Sequence, residues 1–132
     1  MSRFNLQVKK WADRVSVDIK VFTRSVAFQL HDLILEETPV DTGRARASWT
    51  IIAGEVADTS VAPETFAGGA AAATAYAKSN QGAVALANSY VIANNLPYIE
   101  RLENGHSNKK PAGMVAVSIA FLKLKLEQTH GQ

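Results

Sequence analysis

The chain has 132 residues, 47% of them hydrophobic and 20% charged, with a formal net charge of +2 and no cysteine. This is the composition of one globular domain, large enough to bury a core and too small for a second one. It excludes a disordered chain, a disulfide framework and thiolate chemistry, and its basic excess is too mild to specify nucleic acid without clustering.

The first segment carries Phe4, Val8, Trp11, Val15, Ile19, Phe22, Val26, Leu30 and Leu33 at spacings of 4, 3, 4, 4, 3, 4, 4 and 3. That period is close to the ~3.6 residues of a helical turn and predicts one long amphipathic helix with a single apolar stripe. Pro39 ends it, because proline disfavours helical geometry in the residue before it. Roughly thirty residues make a rod on the order of 45–50 Å, which either spans the domain or reaches a neighbour. Val17 and Val21 lie off the stripe and are available for a second contact. Arg3, Lys9, Lys10, Asp13, Arg14, Asp18 and Lys20 break up the apolar character of this segment, so no signal peptide is expected. No run reaches the ~18 apolar residues of a membrane helix.

Pro39 to Arg46 reads as a tight turn: proline presets φ, Asp41 and Thr42 can bond nearby backbone N–H groups, and Gly43 tolerates positive φ. Ala47 to Val56 reads as a strand, with Trp49, Ile51 and Ala53 on one face. Residues 57–73 are polar and then glycine- and alanine-rich, which predicts an exposed, mobile segment. Ala71 to Leu86 is expected to be helical, weakened at Gly82. Ser89 to Asn94 predicts a second strand. Pro97 suits the start of a short helix with Tyr98, Ile99 and Leu102 inward, and Gly105 suits its left-handed end. His106 to Lys110 is a basic loop. Pro111 to Gln128 fits both a strand and a helix pattern. Its length, Pro111 at the start, and Lys123 and Lys125 near the end favour helix.

Candidate chemistry is sparse. Asp41-Thr42-Gly43 matches the signature of aspartic proteases, in which two carboxylates share a proton at a two-fold axis. Here the triplet follows a polar, proline-containing segment and precedes Arg44, in a chain that opens with a long helix; a structural turn fits better. Glu103 and His106 have a spacing that can hold a metal on a helix, but Gly105 interrupts them and no second pair exists. His31 and His130 have no ligand-spaced companions. Ser48, Ser89 and Ser107 lack a nucleophile-elbow context, and Gly68-Gly69 lacks the lysine and strand of a phosphate loop. No catalytic residue, metal or cofactor is therefore assigned. Arg44 with Arg46, and Lys109 with Lys110, form two basic clusters that suit DNA phosphates, acidic partner surfaces or plain solvation. If extended, Arg44 and Arg46 would share a face.

Two blocks stand out: Thr38-Pro39-Val40-Asp41-Thr42-Gly43-Arg44-Ala45-Arg46-Ala47-Ser48-Trp49, and Asn94-Asn95-Leu96-Pro97-Tyr98 running on to Glu103-Asn104-Gly105-His106-Ser107. Their order, with a long helix before and a closing helix after, resembles the bacteriophage minor tail, tail-completion and neck (head–tail connector) proteins. The resemblance covers most of the chain and is least diagnostic over 57–88. It implies one α+β domain over residues 1–132, with long N- and C-terminal helices packed on a small, mainly antiparallel sheet. It also implies a homo-oligomeric, usually six-fold ring at the junction of portal and tail, with adaptor, tail-terminator or tail-tube proteins as neighbours. Double-stranded DNA would pass through the lumen. No active site is implied. Pro39, Asp41, Thr42, Gly43, Pro97, Tyr98, Glu103 and Gly105 would be conformational markers, and Arg44, Arg46, Lys109 and Lys110 candidate interface or lumen contacts. The competing readings are a small homodimeric aspartic protease using Asp41, and a basic nucleic-acid-binding module.

Overall fold

The computed structural model describes the backbone of residues 3–40, 42–104 and 113–130, and side chains within 16–40, 42–101, 103–104 and 113–128. Asp41, Gly105, His106, Ser107, Lys109, Lys110 and Pro111 lie outside the described residues.

The predicted rod is present as α1, Arg3–Glu37. No glycine or proline interrupts it. It stops where Thr38 turns back on its last turn, donating from Oγ1 to the Ile34 carbonyl at 2.6 Å and from its backbone N to the Leu35 carbonyl at 3.3 Å. Pro39 then prevents continuation.

The strand expected from Ala47 begins later. Gly43 adopts φ +89°. The Ala47 N–H bonds the Gly43 carbonyl at 2.9 Å and the Ser48 N–H bonds the Arg44 carbonyl at 3.0 Å, closing a short helix, α2 (Arg44–Ala47). Alanine and arginine are strong helix formers, so once glycine makes the turn the Arg-Ala-Arg-Ala run coils rather than extends. The strand proper, β1, is Thr50–Ala53, and it pairs antiparallel with β2, Tyr90–Ala93, in the register Thr50↔Ala93 to Ala53↔Tyr90. These two strands are the only sheet among the described residues.

The helix expected over 71–86 is shorter and starts earlier: α3 is Gly69–Lys78, followed by a 3-10 helix over Ser79–Ala83 and extended backbone at Val84. The short helix α4 spans Ile99–Glu103 and the closing helix α5 spans Met114–His130. The ambiguous C-terminal pattern thus resolves as a helix, and the architecture is α+β, with long helices at both ends of the chain around a small antiparallel sheet.

The core gathers at one end of α1. Ile34 and Leu35 meet Ala45, Trp49, Ala77, Leu96, Ile99 and Met114 in one buried cluster, with Leu30, Ile92 and Val115 packed against it. A second cluster of Ala47, Ala62 and Ala73, with Phe66 packed against it, lets α2 and α3 approach closely. Residues 57–73 are largely exposed, as expected, but they are anchored. Ser48 Oγ accepts from the Ala62 N–H at 3.0 Å, Arg44 Nε donates to the Ala62 carbonyl at 3.1 Å, and Gly43 bridges to Thr65.

Candidate assembly surface

The two diagnostic blocks meet in space. Asn94 Nδ2 donates to the Ala45 carbonyl at 2.9 Å, while Asn94 Oδ1 accepts the Leu96 N–H at 3.1 Å. One side chain therefore ties the end of β2 to α2 and shapes the turn into Leu96, which is buried. Trp49, which ends the first block, is 6% exposed in the buried cluster that includes Leu96 of the second, and its Nε1–H donates to Thr38 Oγ1 at 3.0 Å. Pro39 is half-buried beside the end of α1, whereas Pro97 and Tyr98 are exposed at the start of α4. Thr42 Oγ1 accepts the Arg44 N–H at 3.3 Å, a local turn contact of the kind expected.

Arg44 and Arg46 do not form a shared face. On helical backbone they are about 200° apart, and each is spent on the chain itself. Arg44 reaches Ala62, and Arg46 donates to Thr74 Oγ1 at 3.2 Å, the Thr38 carbonyl at 3.1 Å and the Glu36 carbonyl at 3.4 Å. Burial lowers the Arg46 pKa from its ordinary value, opposed by the nearby Glu36 carboxylate. Arg46 clamps the end of α1 to α2 and α3, and Arg44 holds the segment around Ala62 to α2.

Glu103 has a role that its pairing with His106 did not suggest. Its carboxylate accepts three backbone N–H groups at the start of α5: Met114 at 2.8 Å and Val115 at 2.7 Å on Oε1, and Ala116 at 3.0 Å on Oε2. These are donors that a helix N-terminus cannot satisfy internally, and a carboxylate there also favours the positive end of the dipole. Gly113, at φ +83°, makes this possible, because a Cβ at that position would collide with the Glu103 backbone carbonyl. No sequence signal nearby points to this cap, since the capping residue lies eleven positions ahead of Met114 rather than adjacent to it.

His31, isolated in the sequence, is fully buried. Its Nε2 lies 3.0 Å from the Trp49 carbonyl and must donate to it. Its Nδ1 accepts from Gln81 Nε2 at 2.9 Å, and the second hydrogen of that amide goes to Asp32 Oδ1 at 2.8 Å. Lys78 Nζ approaches the same carboxylate at 3.8 Å. The imidazole is thereby held neutral in one tautomer. Desolvation is the largest cause lowering its pKa below the usual 6.5, opposed by the Trp49 carbonyl and Asp32 and assisted by Lys78. This is a structural pin joining α1, Trp49 and the 3-10 helix, with the imidazole itself fully buried.

Among the described residues no group of three or more His, Asp or Glu could hold a metal ion, and no helix is long and apolar enough to cross a membrane. The two residues of the protease-like triplet that are described, Thr42 and Gly43, lead into a helix of an α+β domain, not into the mainly β framework of that enzyme class.

What the molecule does present is apolar surface on its two long helices. On α1, Val17, Ile19, Val21 and Phe22 are 49%, 59%, 45% and 53% exposed. On α5, Ile119, Phe121 and Leu124 are likewise about half exposed, although Met114, Ser118 and Leu122 of the same helix are buried. Between α1, β2 and α5 lies an open crevice of about 290 Å³ lined by Ala27, Leu30, Ile34, Trp49, Tyr90, Ile92 and Val115. Large exposed apolar patches on a folded domain mark interaction sites.

Comparison with curated proteins and with solved structures gave no match. A family comparison did, over residues 2–105, which takes in α1, the sheet and both diagnostic blocks up to α4. The chain belongs to the HK97-gp10-like family of bacteriophage tail components.

Proposed function

We propose that this tail component is a ring-forming subunit of the head–tail junction of a long-tailed phage, where it completes the neck, joins the tail to the DNA-filled capsid and leaves a passage for DNA. The observation that carries the reading is the exposed apolar surface of α1 and α5. A tail component works by contact with copies of itself and with neighbours. A half-exposed isoleucine or phenylalanine leaves about half of its apolar area in water in the isolated domain, and an interface that covers it gains that burial. The ring is six-fold, and its axial neighbours are the portal or adaptor on one side and the tail terminator or tail tube on the other. Any contact with double-stranded DNA in the lumen is non-specific and falls on Lys109 and Lys110, because Arg44 and Arg46 already serve intramolecular bonds.

Electron microscopy of lysates from a phage with a stop codon at Trp49 tests this. DNA-filled heads beside separate tails are expected. Intact, joined virions would remove the protein from the junction.

A further inference from the structure

We propose that the front half of α1 seats in the α1–β2–α5 crevice of a second copy of this chain, so that copies join head to tail. The proposal rests on the ring reading above and names the contact that makes the ring.

Apolar residues that run past the core on one helix motivate it. At about 100° per residue, Ala27, His31, Ile34 and Leu35 share the side of α1 that faces its own core, and Val17 and Val21 continue the edge of that side toward the N-terminus. Ile19, Phe22 and Val26 lie about a third of a turn away, beside Leu30, which packs against the core. The core reaches only the later residues of both arcs, and residues 16–19 are all exposed. A helix with so wide an apolar surface is stable when that surface is covered.

Length indicates that the cover comes from outside. The 35 residues of α1 extend about 52 Å at ~1.5 Å each. A compact chain of 132 residues has a radius of gyration near 14 Å and a diameter of about 36 Å. The helix is therefore longer than the body that could shield it.

The crevice is the matching vacancy. Its volume of about 290 Å³ sits at the bottom of the ~300–1,000 Å³ range of small-molecule sites. It also lacks the orienting polar groups that such sites need. Its two polar-tipped side chains are committed elsewhere: Trp49 Nε1 to Thr38, and Tyr90 Oη to the Ala87 N–H at 2.9 Å. What remains is aliphatic and aromatic wall, suited to apolar side chains carried on a helix. The chain cannot fill its own crevice. Leu30 and Ile34 form part of the wall, and the segment from Ile19 to Leu30 is continuous helix that cannot fold back. Because the inserted face and the receiving face differ, the contact is heterologous, and heterologous contacts close into rings when the rotation per subunit divides the circle.

The absence of native cysteine allows a direct test. Ile19→Cys and Phe22→Cys proteins are each mixed with Ile92→Cys protein under mild oxidation. An inter-chain disulfide is expected in at least one mixture and in none of the single variants alone. A disulfide in Ile19→Cys or Phe22→Cys alone would show symmetric helix pairing and overturn the proposal, as would the absence of any cross-link. Sedimentation velocity gives the second arm. Wild-type protein is expected to associate with rising concentration, and Ile19→Glu to raise the dissociation constant at least ten-fold with an unchanged thermal melt. Unchanged association of Ile19→Glu, or a wild-type protein that stays monomeric at millimolar concentration, would also overturn it. Separated heads and tails in the Trp49 stop-codon lysate, together with no cross-link, would keep the junction role and reject this contact alone.

Discussion

The two ends of α1 are built from similar residues and have opposite fates. Near its C-terminus, Ile34 and Leu35 are 2% and 0% exposed, and the polar atoms around them are paired: His31 with Trp49 and Gln81, and Thr38 with Ile34 and Trp49. Some fifteen residues earlier, Val17 and Ile19 are 49% and 59% exposed. The first region holds the domain together, and the second contributes to the free chain little beyond helix propensity. An amphipathic stripe records that a helix is to be covered, not what will cover it.

The comparison can be broken most forcefully at Ile34. Ile34→Ala is expected to destabilise the domain by about 2–5 kcal/mol, from lost burial and the cavity left behind, measured by urea unfolding. A loss under ~1 kcal/mol would mean that this end is not the core. Thr38→Val comes next. It leaves the buried Trp49 indole N–H without an acceptor, a cost of about 1–3 kcal/mol. A melt equal to wild type would show that water replaces the threonine.

The pH dependence sharpens the same contrast. His31 is held neutral, with its pKa below the ordinary 6.5. The unfolded chain therefore binds the proton more readily, and the stabilising contribution is complete above that value and lost as pH falls from 6.5 through the folded pKa. Protonation at Nδ1 would set a second donor against the Gln81 amide. Reversing that amide would place its oxygen against Asp32. The melting temperature of wild type should fall more steeply between pH 7 and 5 than that of His31→Gln. Parallel curves would show that the network tolerates the proton. The smallest effect is expected at the other end of the helix. Ile19→Ala should change unfolding free energy by no more than about 0.5 kcal/mol, as at most surface positions. A loss several times larger would mean that this half of α1 is buried within the monomer.

Much of the chain was legible beforehand, for definable reasons. The long helix, its stop at Pro39, the strand around Tyr90 to Ala93 and the closing helix all follow from local period, proline and length. The helix at Arg44–Ala47 was not, because it depends on the Gly43 turn and on what the arginines reach across space. The cap supplied by Glu103 was hidden for a related reason: its partners follow a loop, so the residue resembled a metal ligand rather than a helix stop. Gln81 carried no signal at all. Its function exists only because the 3-10 helix brings it to His31 and Asp32, some fifty residues earlier in the chain.

By itself, the sequence determined the elements whose causes are local: a helical stripe of period near 3.6, a proline stop, a glycine turn at Gly43, and two blocks in an order that resembles phage tail components. Only the tertiary structure decided which side of α1 meets the core, where Arg44 and Arg46 are spent, and which apolar residues stay uncovered. The physical reason is that periodicity specifies a helix and its apolar residues, whereas burial depends on which distant surfaces reach them. Along α1 those surfaces come from α2, Trp49, α3, β2, α4 and α5, and they cover the last third while leaving Val17 and Ile19 for contact beyond the chain.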